Sequence, residues 1–366
     1  MFPNEIFAIV LQNLADDLPS LRNVALACKD FCAMAQPHIF QEIGLRDSSG
    51  AIDEYKCRVA VNDVETFLQS SKILQFIRRI YVTHKTPYFG EPNGAARMLS
   101  SFPALNSFTV FYPAAHLICA MESSPLAATL KVLCIDCLHV DSRSLTLLGN
   151  MLVSLRVLKI LAMSDVLCDR EDCREIVLPR SLKVLSLRTI LPRFLTNVGL
   201  GMESSPPHSL EAVILSMLAP SDCKGLWSSF GARTQIVFEK DVFHSSDILS
   251  LRGFVAQKLI WIWEQQTVHR YPFYEEALGE CSVGRERDWA GLDRAFVERH
   301  ELGMLTRVCF RCTNRAEFFD FDPRIRAFDV AEDRSILDDV ERLLPKSKSI
   351  SGFLEVDFEM KDFVPS

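Results

Sequence analysis

The sequence predicts an α+β chain, a compact helical module followed by an irregular α/β solenoid, and three observations predict it. Residues 2–40 carry amphipathic helical stretches broken by a turn. A leucine-led unit then recurs with starts at Leu105, Leu130, Leu155, Leu182 and Leu210, a spacing of 25 to 28 residues. Beyond residue 240 the alternation of helical and extended patterns continues at uneven spacing.

A chain of 366 residues exceeds what one small core organises, so several units or an elongated array are expected. With 24% charged residues and a formal net charge of −7, nothing recommends nucleic acid or anionic lipid as a partner. The opening stretch "MFPNEIFAIVLQNLADD" lacks basic residues ahead of its apolar run, which argues against a secretory leader. Twelve cysteines without such a leader are expected to be reduced thiols in the cytoplasm or nucleus. The uncharged window from Met98 to Met121 holds Pro103, Asn106, Pro113 and His116, and is rejected as a membrane span.

The first element follows Pro3. Ile6, Val10 and Leu14, with Phe7 and Leu11 beside them, stripe a helix of about three turns. "ADDLPS" breaks it. Leu21, Val24, Cys28, Phe31 and Ala35 then follow at steps of three and four, a seam on one helix or on two short consecutive ones, which Pro37 ends. More apolar surface is present than a hairpin can bury against itself. The surplus either caps the domain that follows or is reserved for another protein.

The order Phe2-Pro3, Glu5-Ile6, Leu14, Leu21, Val24, Cys28-Lys29, Phe31, Ala35, Pro37 and Phe40 resembles the F-box. Phe2 stands where that family usually has Leu, and Ala27 where it often has Val. The resemblance implies a three-helix module that docks a Skp-family adaptor and through it a cullin–RING ubiquitin ligase. The adaptor contacts it implies are Phe2, Pro3, Ile6, Val10, Leu14, Leu21, Val24, Cys28 and Phe31.

In the body, "LNSFTVFYP", "LKVLCIDCL", "LRVLKILAM", "LKVLSLRTI" and "LEAVILSML" place apolar residues at the first, fourth, sixth and ninth positions, similar to a leucine-rich repeat. Each unit supplies a short strand and a return segment such as "DSRSLTLLGNML", where Asp141 or Ser142 can cap a helix. "IRRIYVTHK" from Ile77 begins the series. The ninth position is Pro113, Leu138, Met163, Ile190 and Leu218 in place of the usual Asn, so the curvature is expected to be weak and irregular.

The expected organisation is therefore an F-box-like module at 1–45, a linker with a first return helix at 46–76, a degenerate leucine-rich-repeat-like array at 77–240 and an irregular continuation at 241–366. In the last part Trp289, Leu292, Phe296 and His300 line a helix before "LTRVCF". Ile336, Leu337, Val340, Leu343 and Leu344 line another, stopped by Pro345, before "GFLEVDFEM". "KLIWIWEQ" fits both strand and helix.

Local motifs do not nominate an enzyme. "RHELGM" lacks the second His of a zinc-protease helix, since Met304 occupies its place. Cys134-x-x-Cys137 and Cys309-x-x-Cys312 have half-site zinc spacing but belong to distant units. "GLGMES" from Gly199 has two of three dinucleotide-loop glycines and reads as a loop. No catalytic residue, metal or cofactor is expected. The function expected is that of a non-catalytic substrate receptor in a Skp–cullin–F-box ligase. Client-facing candidates are the outward strand positions Lys131, Cys134, Arg156, Lys159, Lys183, Ser186, Arg188 and Glu211. The competing expectation is a repeat scaffold whose first helices only cap the array.

Overall fold

The structure is a computed structural model that describes residues 4–14, 17–46, 58–60, 64–69, 71–82, 92–168, 174–216, 218, 223, 226, 234–239, 258–266, 286–315 and 340–360. It divides into two compact units, Met1–Leu182 and Lys183–Val364. No helix among the described residues is long and apolar enough to cross a membrane.

The first unit opens with three helices, α1 (Asn4–Asn13), α2 (Leu18–Ala27) and α3 (Lys29–Ile39). The seam read from Leu21 to Ala35 is thus split between two helices. The break falls at Cys28, whose extended backbone (φ −162°, ψ 169°) starts α3. Pro37 does not end the second stretch; it sits inside α3, which runs on to Ile39. Leu11, Leu21, Ala35 and Ile39 form a small buried core shared by the three helices.

The chain passes straight from α3 into β1 (Glu42–Arg46), and a parallel sheet follows: β2 (Arg58–Ala60), β3 (Arg79–Val82), β4 (Ser107–Phe111), β5 (Val132–Asp136) and β7 (Ile160–Ser164), in the spatial order β2-β1-β3-β4-β5-β7. A separate two-stranded ladder pairs β6 (His139–Val140) with β8 (Leu167–Cys168). The crossovers carry α4 (Val64–Gln69), α5 (Ser71–Leu74), α6 (Pro92–Ser100), α7 (Ala115–Glu122) and α8 (Ser142–Ser154). Alternate strand residues point inward. Phe108, Leu133 and Leu161 lie side by side in one row, and Val110, Ile135 and Met163 in the next. Met98, Leu117, Leu148 and Met151 of the helices are buried as well.

The second unit repeats this construction with β9 (Val184–Arg188), α9 (Pro192–Ser204), β10 (Ala212–Ser216), β11 (Gln235–Glu239), β12 (Lys258–Gln266), α10 (Glu286–Glu301), β13 (Arg307–Arg315), α11 (Pro345–Ser349) and β14 (Leu354–Met360). Its strands are parallel and adjacent in chain order. The ambiguous "KLIWIWEQ" is β12, a strand. Residues 340–343 are helical and that helix stops before Pro345, as the sequence reading has it; Pro345 itself then starts a second helix, α11. Ile336 and Leu337 lie outside the described residues.

The expected fold class is corrected by this topology. An α+β chain with a separate F-box-like module and an irregular leucine-rich-repeat-like solenoid is not what forms. Each unit is an α/β arrangement, Rossmann-like in its alternation of parallel strand and crossover helix. The physical reason is that the 25-to-28-residue recurrence of the leucine-led units measures only strand plus crossover. Any parallel sheet with helical connections produces such a spacing, because parallel strands need a crossover of a dozen or more residues.

The sequence also misplaced one strand. "LRVLKILAM" carries apolar residues at Leu155, Leu158 and Leu161, so the pattern fits twice. Cross-strand pairing of Leu133 with Leu161 and Ile135 with Met163 puts the first position at Leu158, three residues later than Leu155, and leaves Ile160 on the open face at 37% exposure.

Candidate functional site

Two places in the first unit gather side chains that the fold alone does not explain. The first is the outer face of α1. Glu5 in its first turn complements the helix dipole. Phe7, Leu11 and Leu14, spaced at i, i+4 and i+7, turn toward the module core, and the Phe7 and Phe31 rings pack at 4.6 Å between centroids. Ile6, Ile9 and Val10 turn the other way and are 46%, 60% and 45% exposed, while Leu26 at the end of α2 is 84% exposed. The helix therefore has an apolar face on each side, only one of which is used.

Local contacts hold these helices in place. Asp17 caps α2, accepting the Ser20 N–H at 3.1 Å, and its bonds with the Ser20 side chain first and the Ser20 N–H second keep its carboxyl below the usual carboxylate range. The Cys28 Sγ accepts the Phe31 N–H at 3.4 Å at the start of α3. Of the adaptor contacts that the F-box resemblance implies, Ile6 and Val10 are exposed. Leu14, Val24 and Phe31 are half-buried, and Leu21 is wholly buried inside the module. Cys28 is exposed. Phe2 and Pro3 lie outside the described residues. Ile9 and Leu26 were missed, although the i+3 spacing of Ile9 from Ile6 was there to read.

The second place is the carboxyl end of β4, β5 and β7. Tyr112, Cys137 and Asp165 each follow a strand and each adopt a left-handed backbone, at φ 53°, 53° and 49°. The turn lets the Tyr112 N–H reach the Asp136 carbonyl at 2.8 Å and the Cys137 N–H reach the Ser164 carbonyl at 3.0 Å, continuing the ladder past the strand ends. The Asp136 carboxylate accepts the Ser164 hydroxyl and, at 3.5 Å, the Cys137 thiol. Burial pushes the Cys137 thiol up from its ordinary pKa, and the Asp136 and Asp165 carboxylates push the same way against the opposing bond with Tyr112.

Asp136, Cys137 and Asp165 bring potential ligand atoms within 4.8 Å of one another. The half-buried ones spend them on each other and on Ser164. The Cys134 thiol, three residues earlier, faces Thr109 on β4, and burial holds it neutral. Cys309 belongs to the second unit. In the other motifs, His300 Nδ1 lies 3.1 Å from the Leu305 carbonyl and its ring packs 4.6 Å from Phe353. "GLGMES" is not a loop but part of α9, with Gly199 and Gly201 buried.

The client-facing candidates separate by unit. Lys131, Arg156 and Lys159 are exposed at the amino ends of β5 and β7, and Cys134 is half-buried on β5. In the second unit Lys183 is ion-paired with Glu211, Ser186 is half-buried on β9 and Arg188 is exposed at its end. Arg156 lies in the turn before β7 instead of on the strand, a consequence of the three-residue register shift. No protein-family model matches the chain, and no curated protein matches it.

Proposed function

We propose that this chain is a non-catalytic substrate receptor of a cullin–RING ubiquitin ligase, which docks a Skp-family adaptor through α1 to α3 and holds a client protein on its parallel-sheet body. The observation that carries the reading is the unused apolar face of α1, formed by Ile6, Ile9 and Val10. A helix that merely capped the following sheet would bury that face. Exposure of three β-branched residues in a row of i, i+3 and i+4 costs solubility unless a partner covers them. Phe31 and Val24, at F-box positions, are half-buried beside the same module.

Such a receptor breaks and forms no bonds itself. Its contribution is proximity, since two linked binding events raise the local concentration of client lysine near a ubiquitin carrier. The test is a pull-down of purified Skp-family adaptor by the full chain, alongside Ile6→Glu/Val10→Glu. Wild-type capture and its loss in the variant are expected, with the thermal midpoint unchanged because both positions face solvent. Absence of capture by the wild-type chain would overturn the adaptor role and leave a scaffold whose helices serve only its own fold.

A further inference from the structure

The amino edge of the first unit's sheet carries a row of basic residues. The segments that lead into β3, β4, β5 and β7 are residues 75–78, 101–106, 123–131 and 155–159. They contain Arg78, Lys131, Arg156 and Lys159 and no carboxylate. All four are exposed. The fold sets Arg78, Asn106, Lys131 and Lys159 at equivalent places on successive strands. The Asn106 N–H donates to the Arg78 carbonyl at 2.9 Å, the Lys131 N–H to the Asn106 carbonyl at 2.8 Å, and the Lys159 N–H to the Lys131 carbonyl at 2.8 Å. Neighbouring places in such a row are about 4.8 Å apart.

Two features of this edge that would ordinarily engage the charges are otherwise occupied. Crossover helices end here, and their last carbonyls attract cations. Serine hydroxyls take those carbonyls instead: Ser101 Oγ donates to Arg97 at 2.8 Å, Ser124 Oγ to Met121 at 2.9 Å and Ser154 Oγ to Met151 at 2.7 Å. Glu42, the buried carboxylate of β1, pairs with Arg79 at 3.5 Å. The opposite ends of β5 and β7 carry Asp136 and Asp165, within a chain of net charge −7.

We infer that this basic edge is a docking site for an acidic, Asp- or Glu-rich peptide segment of a partner protein. The inference rests on the receptor reading above and names the chemistry of its client. An extended peptide lying across the strand ends passes the basic heads in turn, and charge complementarity steers and registers it more than it tightens it. Four heads on a single edge are too few to hold a nucleic acid against the repulsion of a net acidic chain.

The experiment uses the full chain and a fluorescein-labelled glutamate-rich peptide, with a glutamine-for-glutamate peptide as the neutral control, read by fluorescence anisotropy. The expected result is binding of the acidic peptide alone, weakening as salt rises above about 0.1 M. Lys131→Glu/Arg156→Glu/Lys159→Glu is expected to lose about tenfold or more in affinity, and Arg143→Glu on the outer helix α8 to lose nothing. Lys131→Gln/Lys159→Gln gives the same direction should the triple reversal fail to fold. Equal binding by these variants, no binding by the wild type, or tighter binding of a single-stranded oligonucleotide or of phosphatidylserine vesicles would overturn the inference. Adaptor capture measured on the same variants separates the two failures, since loss of the basic edge leaves α1 intact.

Discussion

At the scale of single residues, the left-handed positions after the strands illustrate how one backbone requirement shapes chemistry. Tyr112, Cys137 and Asp165 occupy φ values near 50°, which cost a residue with a Cβ about 1 kcal/mol relative to the right-handed region. The turn places Cys137 beside Asp136. Because the thiol is held neutral, the thiolate fraction at Cys137 rises only at a pH above the usual cysteine range. Asp136→Asn removes one of the groups that raise it. Site-resolved mass spectrometry of iodoacetamide labelling is expected to show faster alkylation at Cys137 in that variant at pH 8, and an unchanged rate would show that burial alone sets the reactivity. Asp17 works with the opposite sign. Its lowered carboxyl pKa stabilises the module above the unfolded carboxylate range, and that contribution is lost as pH falls through the folded value.

At the scale of elements, α10 and α11 are joined by one buried carboxylate. Asp293 is 2% exposed and accepts the Lys346 N–H at 2.9 Å, the Ser347 N–H at 2.8 Å and the Ser347 hydroxyl at 2.6 Å. Ser347 is wholly buried, so removing the acceptor leaves an N–H and a hydroxyl with no water to take them. Asp293→Ala is expected to destabilise the second unit by about 2–4 kcal/mol. Tryptophan fluorescence during denaturant unfolding reads this cleanly, because Trp227, Trp261, Trp263 and Trp289 all fall within Lys183–Val364. A change below about 0.5 kcal/mol would mean that α11 docks by its apolar contacts alone. None of this was legible beforehand: Asp293 sits in a helix whose apolar stripe was read correctly from Trp289, Leu292 and Phe296, but its hydrogen-bond partners lie more than fifty residues away.

At the scale of the whole molecule, two properties of the chain meet in the first unit: an apolar helix face left open and a basic edge in an acidic protein. They make separable demands. Ile6→Glu/Val10→Glu is expected to abolish adaptor capture and preserve binding of the acidic peptide, whereas the basic-edge variant does the reverse. Variants that lose both together would point to unfolding, which circular dichroism would reveal. The helical character of residues 2–40 was legible in the sequence from local apolar spacing, which left open whether one helix or two follow the turn. The module's inner and outer faces were not legible, since Leu21 and Ile6 are equally apolar and only packing against Ala35 and Ile39 tells them apart.

By itself, the sequence determined where strands and helices alternate, since inward residues such as Phe108, Val110, Leu133 and Ile135 recur with period two between amphipathic segments. It also determined the excess of apolar surface on the first helices and the absence of carboxylates from the segments leading into β3, β4, β5 and β7. Tertiary structure decided the rest. It chose Leu158 over Leu155 as the start of a strand unit, because only pairing with β5 distinguishes two equally good apolar patterns. It turned the 25-to-28-residue spacing into an α/β arrangement, because a period records the length of a connection and not the architecture that the connection builds.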